Sequence, residues 1–401
     1  MPGPLDGIRI VDLTQMVAGP VATMILADQG ADVIKVEPPH GGDYTRQVST
    51  RRHDIAASFL NNNRNKRSIA LNLKEARAVD IVKDLSRDAD VFVQNFRPGV
   101  AERLGVGEAA IRAVAPEIIY VSISGFGEEG PWAHKPVYDP LVQALTGLTT
   151  VQAGSDDVRP RLVRTILPDK LTGITASQAI TAALLSKART GKGQHVKLSM
   201  LDSIVAFLWH SDMNGLTFVK DEIRPERAQS FLDLIYETLD GFISVAVQND
   251  RQWLGLTRAL EKPEWLDDPR FKTAALRHHN IDDRLNLTQE ALLTRPAVEW
   301  IERLEAEDVP CAPVLKRHEM LDHPQVQASG IVAEVDHPHA GLLRQARPAA
   351  RFSETAPEYR HGGALLGEHT AEILAELGVA EADIAGLIND GIAGPQQEDT
   401  G

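Results

Sequence analysis

A chain of 401 residues has room for two packed units rather than one. Its 43% hydrophobic and 24% charged residues fit a soluble globular protein, and with only 5% aromatics the core must rest on Ala, Val, Ile and Leu. A formal charge of −14, from 42 basic and 56 acidic residues, excludes a general polyanion binder such as a nucleic-acid protein but leaves room for a local basic pocket.

In chain order, Ile8 to Leu13 reads as a short strand, followed by a helix from about Pro20 to Gly30. Asp32 to Val36 reads as a second buried strand, closed by Glu37-Pro38-Pro39. The polar and basic run Asn61 to Ser68 reads as a solvated loop. A helix from about Glu75 to Arg87 leads to the strand Asp90 to Gln94, and the run Ile118 to Ser122 follows a helix around Ala109. Strands alternating with helices predict an α/β fold with a parallel, doubly wound sheet. Val137 to Leu148 reads as a turn entering a helix. A long helix spans Leu171 to Lys187, and the strand Gln194 to Leu198 and the helix Met200 to Trp209 follow.

The pattern then changes. Charged residues from about Phe218 to Arg227, with Pro225, predict a linker over 211–227. Gly241 to Val247 reads as a strand and Gln252–Leu260, Arg284–Leu293 and Ala297–Glu305 as helices, which predicts a smaller α+β unit over 228–320. A Pro- and His-rich stretch (His323-Pro324, His337-Pro338-His339) predicts a return linker over 321–339. His369 to Leu377 reads as the final helix, before a polar tail, Gln396 to Gly401, expected to be disordered. A single cysteine, Cys311, excludes an intrachain disulfide and fits a reducing compartment. No signal-peptide pattern opens the chain, and no uncharged apolar stretch approaches the ~20 residues of a membrane span, so a cytoplasmic protein without a membrane partner is expected.

Glu37 ends the second strand, where a Rossmann fold places its ribose-binding acid. The preceding turn, Thr14 to Pro20, lacks the G-x-G-x-x-G loop, so no nicotinamide or flavin site is expected and Glu37 reads as a strand-end carboxylate. Arg64, Lys66, Arg67, Lys74, Arg97 and Arg103 concentrate positive charge able to hold a small molecule bearing phosphates. Asp169 stands after a proline at the start of the long helix, the position of an N-cap, where helix N–H groups would lower its pKa and keep it ionised. The histidines, among them His195, His210 and His278-His279, lack metal-ligand spacing, no HExxH or G-x-S-x-G occurs, and no metal is expected.

Taken together, an ordered series of segments resembles the class III coenzyme A transferases, the family of formyl-CoA transferase and carnitine CoA-transferase. The segments are Pro4–Arg9, Ala18–Pro20, Leu26–Pro39, Asn63–Ser68, Asn95–Val100, Arg103–Gly105, Ser124–Gly127, Tyr138-Asp139 with Gln143-Ala144, Thr190–Gln194, Ser199–Asp202 and Leu366–Thr370. The resemblance implies a large Rossmann-like domain built from both ends, 1–210 and 340–401, a small domain joined by two linkers, and an interlocked homodimer. It implies that Asp169 is the nucleophile. Leu71, Lys74, Asn95, Phe96, Arg103 and Leu104 match positions that line the coenzyme A site, and Tyr138 matches a tyrosine near the reacting thioester. Lys135 lies beside a family lysine position. The implied partners are an acyl-CoA donor and a carboxylic acid acceptor, with coenzyme A as substrate. Asp169 would attack the donor thioester to give a mixed anhydride, thiolate return would give an aspartyl-CoA thioester, and the acceptor carboxylate would take the CoA in a second exchange.

Two departures separate the chain from the formyl-CoA transferase subgroup: Val17 stands where that subgroup has glutamine, and no glycine-rich run occurs between about residues 225 and 265. The rival within the superfamily is an α-methylacyl-CoA racemase, which needs an acid and a base on opposite faces of the α-carbon. That branch resembles Gly-His-Asp where this chain has Val137-Tyr138-Asp139, and tyrosine, with a reference pKa of about 10, is a poor proton acceptor near neutral pH. A third reading is a catalytically silent CoA-binding protein. Solvent exchange of an α-proton would mark the racemase, and CoA binding without either activity the silent protein.

Overall fold

A computed structural model describes residues 3–220 and 234–394. The end of the expected first linker, 221–227, and the tail Gln396–Gly401 lie outside the described residues. The chain divides into two compact units. One comprises residues up to Thr149, Leu162–Asn214 and the chain from Gly330 on, and the other comprises Thr150–Arg161 and Gly215–Ser329.

The first unit is built on six strands: β1 (Arg9–Asp12), β2 (Asp32–Glu37), β3 (Lys66–Ala70), β4 (Val91–Gln94), β5 (Ile119–Ser124) and β6 (His195–Ser199). They pair in parallel in the order β3-β2-β1-β4-β5-β6, the Rossmann order, as the α/β alternation predicts. Period-two alternation fills both faces. Val11, Ile34, Ile69, Phe92 and Tyr120 enter one core, whereas Ile10, Val33, Val91, Val93 and Val121 enter the other. The second core is covered by α1 (Ala18–Asp28), through Ala22, Leu26 and Ala27, and by the long helix Leu167–Thr190, through Ala176, Ile180 and Ala183. The first is covered by the helix Ala76–Arg87 and by two C-terminal helices, Thr370–Glu376 and Glu381–Asn389. The last of these was not anticipated, although Ile384, Leu387 and Ile388 follow helical spacing.

The run expected to be a solvated loop is instead ordered and buried. Asn61–Asn63 close the helix Ala57–Asn63, and Lys66 opens β3, where it is 1% exposed. Its buried polar residues tolerate burial because they are paired, Arg64, Asn65 and Lys66 with partners far away in sequence. Arg64 pairs with Asp28 at 2.6 Å, Lys66 Nζ reaches Asp12 at 3.1 Å and Asn63 Oδ1 at 2.8 Å, and Asn65 donates to Asp28 at 2.8 Å. Within 330–394, Val332–His337 and Gly341–Ala346 form an antiparallel hairpin.

The second unit has a three-stranded antiparallel sheet of Ile235–Glu237, Phe242–Val245 and Cys311–Pro313, with the helices Asp250–Ala259, Ile281–Leu292 and Ala297–Ala306. Its core draws on the aromatics Trp253, Trp265, Phe271 and Trp300. No helix among the described residues is long and apolar enough to cross a membrane.

Candidate active site

The strand order reverses between β1 and β4, and in open parallel sheets ligands bind outside the carboxyl ends of the strands at such a point. Here two turns meet there. Asn95, after β4, accepts the Gln15 N–H at 2.9 Å and donates to the Gln15 carbonyl at 2.8 Å, joining its loop to the turn after β1.

Asp169 arrives from the long helix Leu167–Thr190. Its expected role as the N-cap is corrected: the helix begins two residues earlier, Ile166 takes the cap position without a side-chain bond, and Pro168 sits in the first turn, where its missing N–H costs nothing. Asp169 is therefore inside the first turn, with its carboxylate free to face outward. That carboxylate accepts the N–H of Ala18, the first residue of α1. Its own N–H donates to Asp139 Oδ2 at 3.2 Å. Asp139 begins the helix Asp139–Leu145 behind Tyr138, and its other oxygen accepts Gln143 Nε2 at 2.6 Å. Gln143 in turn holds the segment leading to Asp169, accepting the Val163 N–H at 2.9 Å.

The charge state also departs from expectation. Burial, and secondly the negative charge of Asp139, push Asp169 from the usual 3.8 up to about 6, and the Ala18 N–H bond pulls only partly the other way. The two N-terminal helix dipoles do not offset removal from water next to a second carboxylate. Close approach of the two helices depends on Gly173, one turn beyond Asp169. A Cβ at Gly173 would lie 2.7 Å from the Ala18 carbonyl oxygen and 2.9 Å from Val21 Cβ.

Asp169 opens into a cavity of about 360 Å³ whose lining includes Met16, Asn95, Phe96, Lys135, Tyr138 and Asp139. A second cavity, of about 500 Å³, shares Phe96, Arg97, Pro98, Ile123 and Ser124 with it and runs on to His195 and Lys197. Together they make one cleft over the carboxyl ends of β4, β5 and β6, of a size suited to an extended ligand. Asn95, Phe96, Tyr138 and Asp169 are thus brought together, with Lys135 stacked over Trp132 at 3.4 Å.

Leu71, Lys74, Arg103 and Leu104 do not line either cavity. Leu71 follows β3 and is 1% exposed in the core, Lys74 is exposed before the helix Ala76–Arg87, Arg103 is exposed at the end of the helix Val100–Arg103, and Leu104 packs against the core. All four nonetheless follow the carboxyl ends of β3 or β4. The basic cluster is smaller than its sequence suggested. Arg64 and Lys66 are consumed internally, and Arg67 pairs with Asp32 at 2.7 Å and Glu376 at 2.6 Å. Lys74, Arg97 and Arg103 remain without an ion pair among the described residues. Glu37 is equally occupied: Arg46 donates to it twice at 2.7 Å and Ser68 once at 2.7 Å. Burial pushes its carboxyl up, but the Arg46 charge and bonds outweigh burial and hold it at about 2. Among the described residues, no three His, Cys, Asp or Glu side chains group as a metal ion would require.

Sequence reasoning missed the Ala18 N–H, Gly173 and the part played by Asp139 and Gln143. Asp139 and Gln143 stand at i and i+4 from a helix start, a spacing that could have flagged the pair. Nothing local marks Ala18, whose N–H matters only because α1 packs against a helix about 150 residues on.

The model of CoA-transferase family III matches residues 5–370. Succinyl-CoA:glutarate CoA-transferase from Homo sapiens is 37% identical over 383 residues, 93% of this chain and 86% of that protein. Formyl-CoA:oxalate CoA-transferase from Escherichia coli is 33% identical, covering 96% and 99%. The crystal structure of a CAIB/BAIF family protein from Brucella suis superposes with a TM-score of 0.83 at 31% identity, covering 94% of this chain and all of that one.

Proposed function

Because this chain belongs to CoA-transferase family III and is a CoA-transferase, moving coenzyme A from an acyl-CoA thioester to a free carboxylic acid, we propose that Asp169 is the covalent carrier. The observation that supports this is the placement of one carboxylate, pushed up to about 6, at the floor of a cleft where the first N–H of α1 donates to it. A carboxylate of that pKa is still about nine-tenths ionised at pH 7 and is more basic, hence more nucleophilic, than an ordinary aspartate.

In the first exchange an Asp169 oxygen attacks the donor carbonyl, the C–S bond breaks, and CoA thiolate leaves a mixed anhydride. The thiolate then attacks the aspartyl carbonyl and expels the donor acid, giving an aspartyl-CoA thioester. The acceptor carboxylate attacks that carbonyl, releasing thiolate and a second anhydride. Thiolate attack on the acceptor's acyl carbon yields the new acyl-CoA and restores Asp169. Thioester and anhydride lie close enough in energy for no nucleotide to be spent.

The thioester would sit between Asp169 and Tyr138, with the pantetheine arm passing Asn95 and Phe96. Lys74, Arg97 and Arg103 would supply cations to the phosphates, and Leu71 and Leu104 would contribute by position after β3 and β4. We read the acceptor as a dicarboxylic acid. Glutarate and oxalate appear in the names of the relatives, and Lys135 lines the cleft without a carboxylate partner among the described residues. We also read the chain as a homodimer with linkers over 211–227 and 321–339. Exposed Ile174, Leu185, Phe207 and Trp209 support an apolar contact, and the passages between units near residues 214 and 329 support the linkers.

Incubation with donor acyl-CoA and hydroxylamine should leave a hydroxamate at Asp169, located by peptide mass spectrometry, and Asp169→Ala should abolish transfer. Full transfer by the Asp169→Ala enzyme would sink the reading.

A further inference from the structure

Beneath the cleft, the turn from β1 into α1 is held by side chains that the reaction does not touch. The Thr14 N–H donates to Asp12 at 2.8 Å, and Lys35 Nζ donates to the Thr14 carbonyl at 2.7 Å. The Met16 N–H donates to Asp43 Oδ1 at 3.1 Å. Lys35 and Asp43 form an ion pair at 3.0 Å, with side chains 1% and 0% exposed. Met16 has φ 69°, a left-handed conformation that a residue with a side chain keeps only where its surroundings over-determine it. Two residues later, the Ala18 N–H meets Asp169.

We infer that the buried Lys35–Asp43 pair is a positioning device for acyl transfer: it locks the backbone at Met16 and so holds the first N–H of α1 on the Asp169 carboxylate. The inference rests on Asp169 as the nucleophile.

A buried ion pair is a weak stabiliser, because desolvation of both partners offsets their attraction. What singles this one out is where its remaining bonds go. Lys35 spends one proton on the Thr14 carbonyl and Asp43 accepts the Met16 N–H, so both charges act on the main chain of one turn. The Asp43 carboxylate is itself oriented by Thr45, whose N–H and hydroxyl both donate to it at 2.9 Å, and the Asp43 N–H is fixed on Glu37 at 3.0 Å. Charge-assisted bonds of this kind are about twice as strong as neutral ones, which suits them to holding a strained φ. Around Asp169 the charged groups are Asp139, the adjacent Lys170, whose ammonium donates to Thr165 at 2.8 Å, and Lys135 and Arg97 on the lining of the same cavity. The Ala18 N–H is thus the contact that favours the ionised nucleophile, and its position depends on the turn.

The test compares Asp43→Asn with Asp28→Asn, which breaks the buried Arg64–Asp28 pair at the far end of α1 and touches neither the turn nor the cleft. Single-turnover acylation is followed against pH, with steady-state constants and thermal midpoints for each protein. For Asp43→Asn the acid limb should move up by about half a pH unit or more, as the N–H bond to the carboxylate loosens. Its kcat should fall about ten-fold, with KM for the acyl-CoA little changed. Asp28→Asn should lower the thermal midpoint and leave the limb in place. A wild-type limb and kcat in folded Asp43→Asn, or the same limb shift in Asp28→Asn, would overturn the inference. Should Asp43→Asn not fold, Met16→Val strains the same φ without stranding a charge, and it must show the same upward shift; an unmoved limb overturns the inference there too. Transfer lost in Asp169→Ala but untouched in Asp43→Asn refutes this inference alone, whereas an active Asp169→Ala refutes the nucleophile.

Discussion

Asp139→Asn should move the acid limb of acylation downward. The Asp169 carboxylate is displaced from 3.8 to about 6, worth roughly 3 kcal/mol at 1.36 kcal/mol per unit. Burial is the larger cause and the Asp139 charge the second, with the Ala18 N–H opposing both, so the share of Asp139 is on the order of one unit. Asparagine keeps the shape but has one acceptor where aspartate has two. Turned toward the Asp169 N–H, it gives up the bond from Gln143, whose Nε2 also lies 3.3 Å from the Val163 carbonyl. In a single-turnover assay with donor acyl-CoA, the wild-type rate should fall ten-fold per pH unit below about 6. For the variant the break should lie about one unit lower, with a reduced plateau because the nucleophile is less basic. A limb that stays in place or moves upward would refute the assignment of the shift to Asp139, and a wild-type limb near 4 would refute the raised pKa itself.

Gly173→Ala should destabilise the first unit by about 1–3 kcal/mol, read as a lower thermal midpoint, because the added Cβ meets a backbone oxygen at 2.7 Å and forces α1 from its neighbour. Arg46→Met leaves Glu37 buried without its main partner and should cost about 3–5 kcal/mol in denaturant unfolding. The sign of the pH dependence follows from a depressed carboxylate. Glu37 contributes stability above its usual 4.5 that is lost as pH falls through about 2, so acid unfolding of the variant should start from a lower plateau and be shallower across that window.

The sheet was legible in the sequence because each central strand is apolar on both faces and each connection is a helix with period 3.6. β3 was not, since its Lys66, Arg67 and Ser68 are satisfied by Asp12, Asp32 and Glu37, and no local pattern reveals a partner on another strand. The same blindness inflated the basic cluster: Arg64, Lys66 and Arg67 look available until their carboxylates are placed beside them. Asp169 was legible as a helix-start carboxylate but not to the residue, because Pro168 suits the first turn as well as the position before it. Its pKa was unreadable in principle. A helix start argues downward, whereas desolvation and Asp139 argue upward, and only the packing says which wins.

Two carboxylates of this unit, Glu37 and Asp169, carry opposite stability signatures, and the contrast bears on how the site is maintained. Glu37, held at about 2 by Arg46, is ionised at no cost above its usual pKa and stabilises the fold there. Asp169 has the reverse sign. Below pH 3.8 it is protonated folded or unfolded, and as pH rises through about 6 the native state loses up to about 3 kcal/mol for keeping it charged, less in proportion to its partial exposure. A carboxylate that weakens the fold at neutral pH persists where a job requires it ionised and basic. Burial first, and a place beside Asp139 rather than beside a cation second, make it more basic, which would suit a nucleophile, and make it a worse structural residue. The buried cations of this unit, Lys35 and Lys66, are engaged with Asp43 and Asp12 beneath the turn. Positive charge is thereby spent on the geometry of the turn, and Asp169 is left with an N–H, not a salt bridge, as its partner.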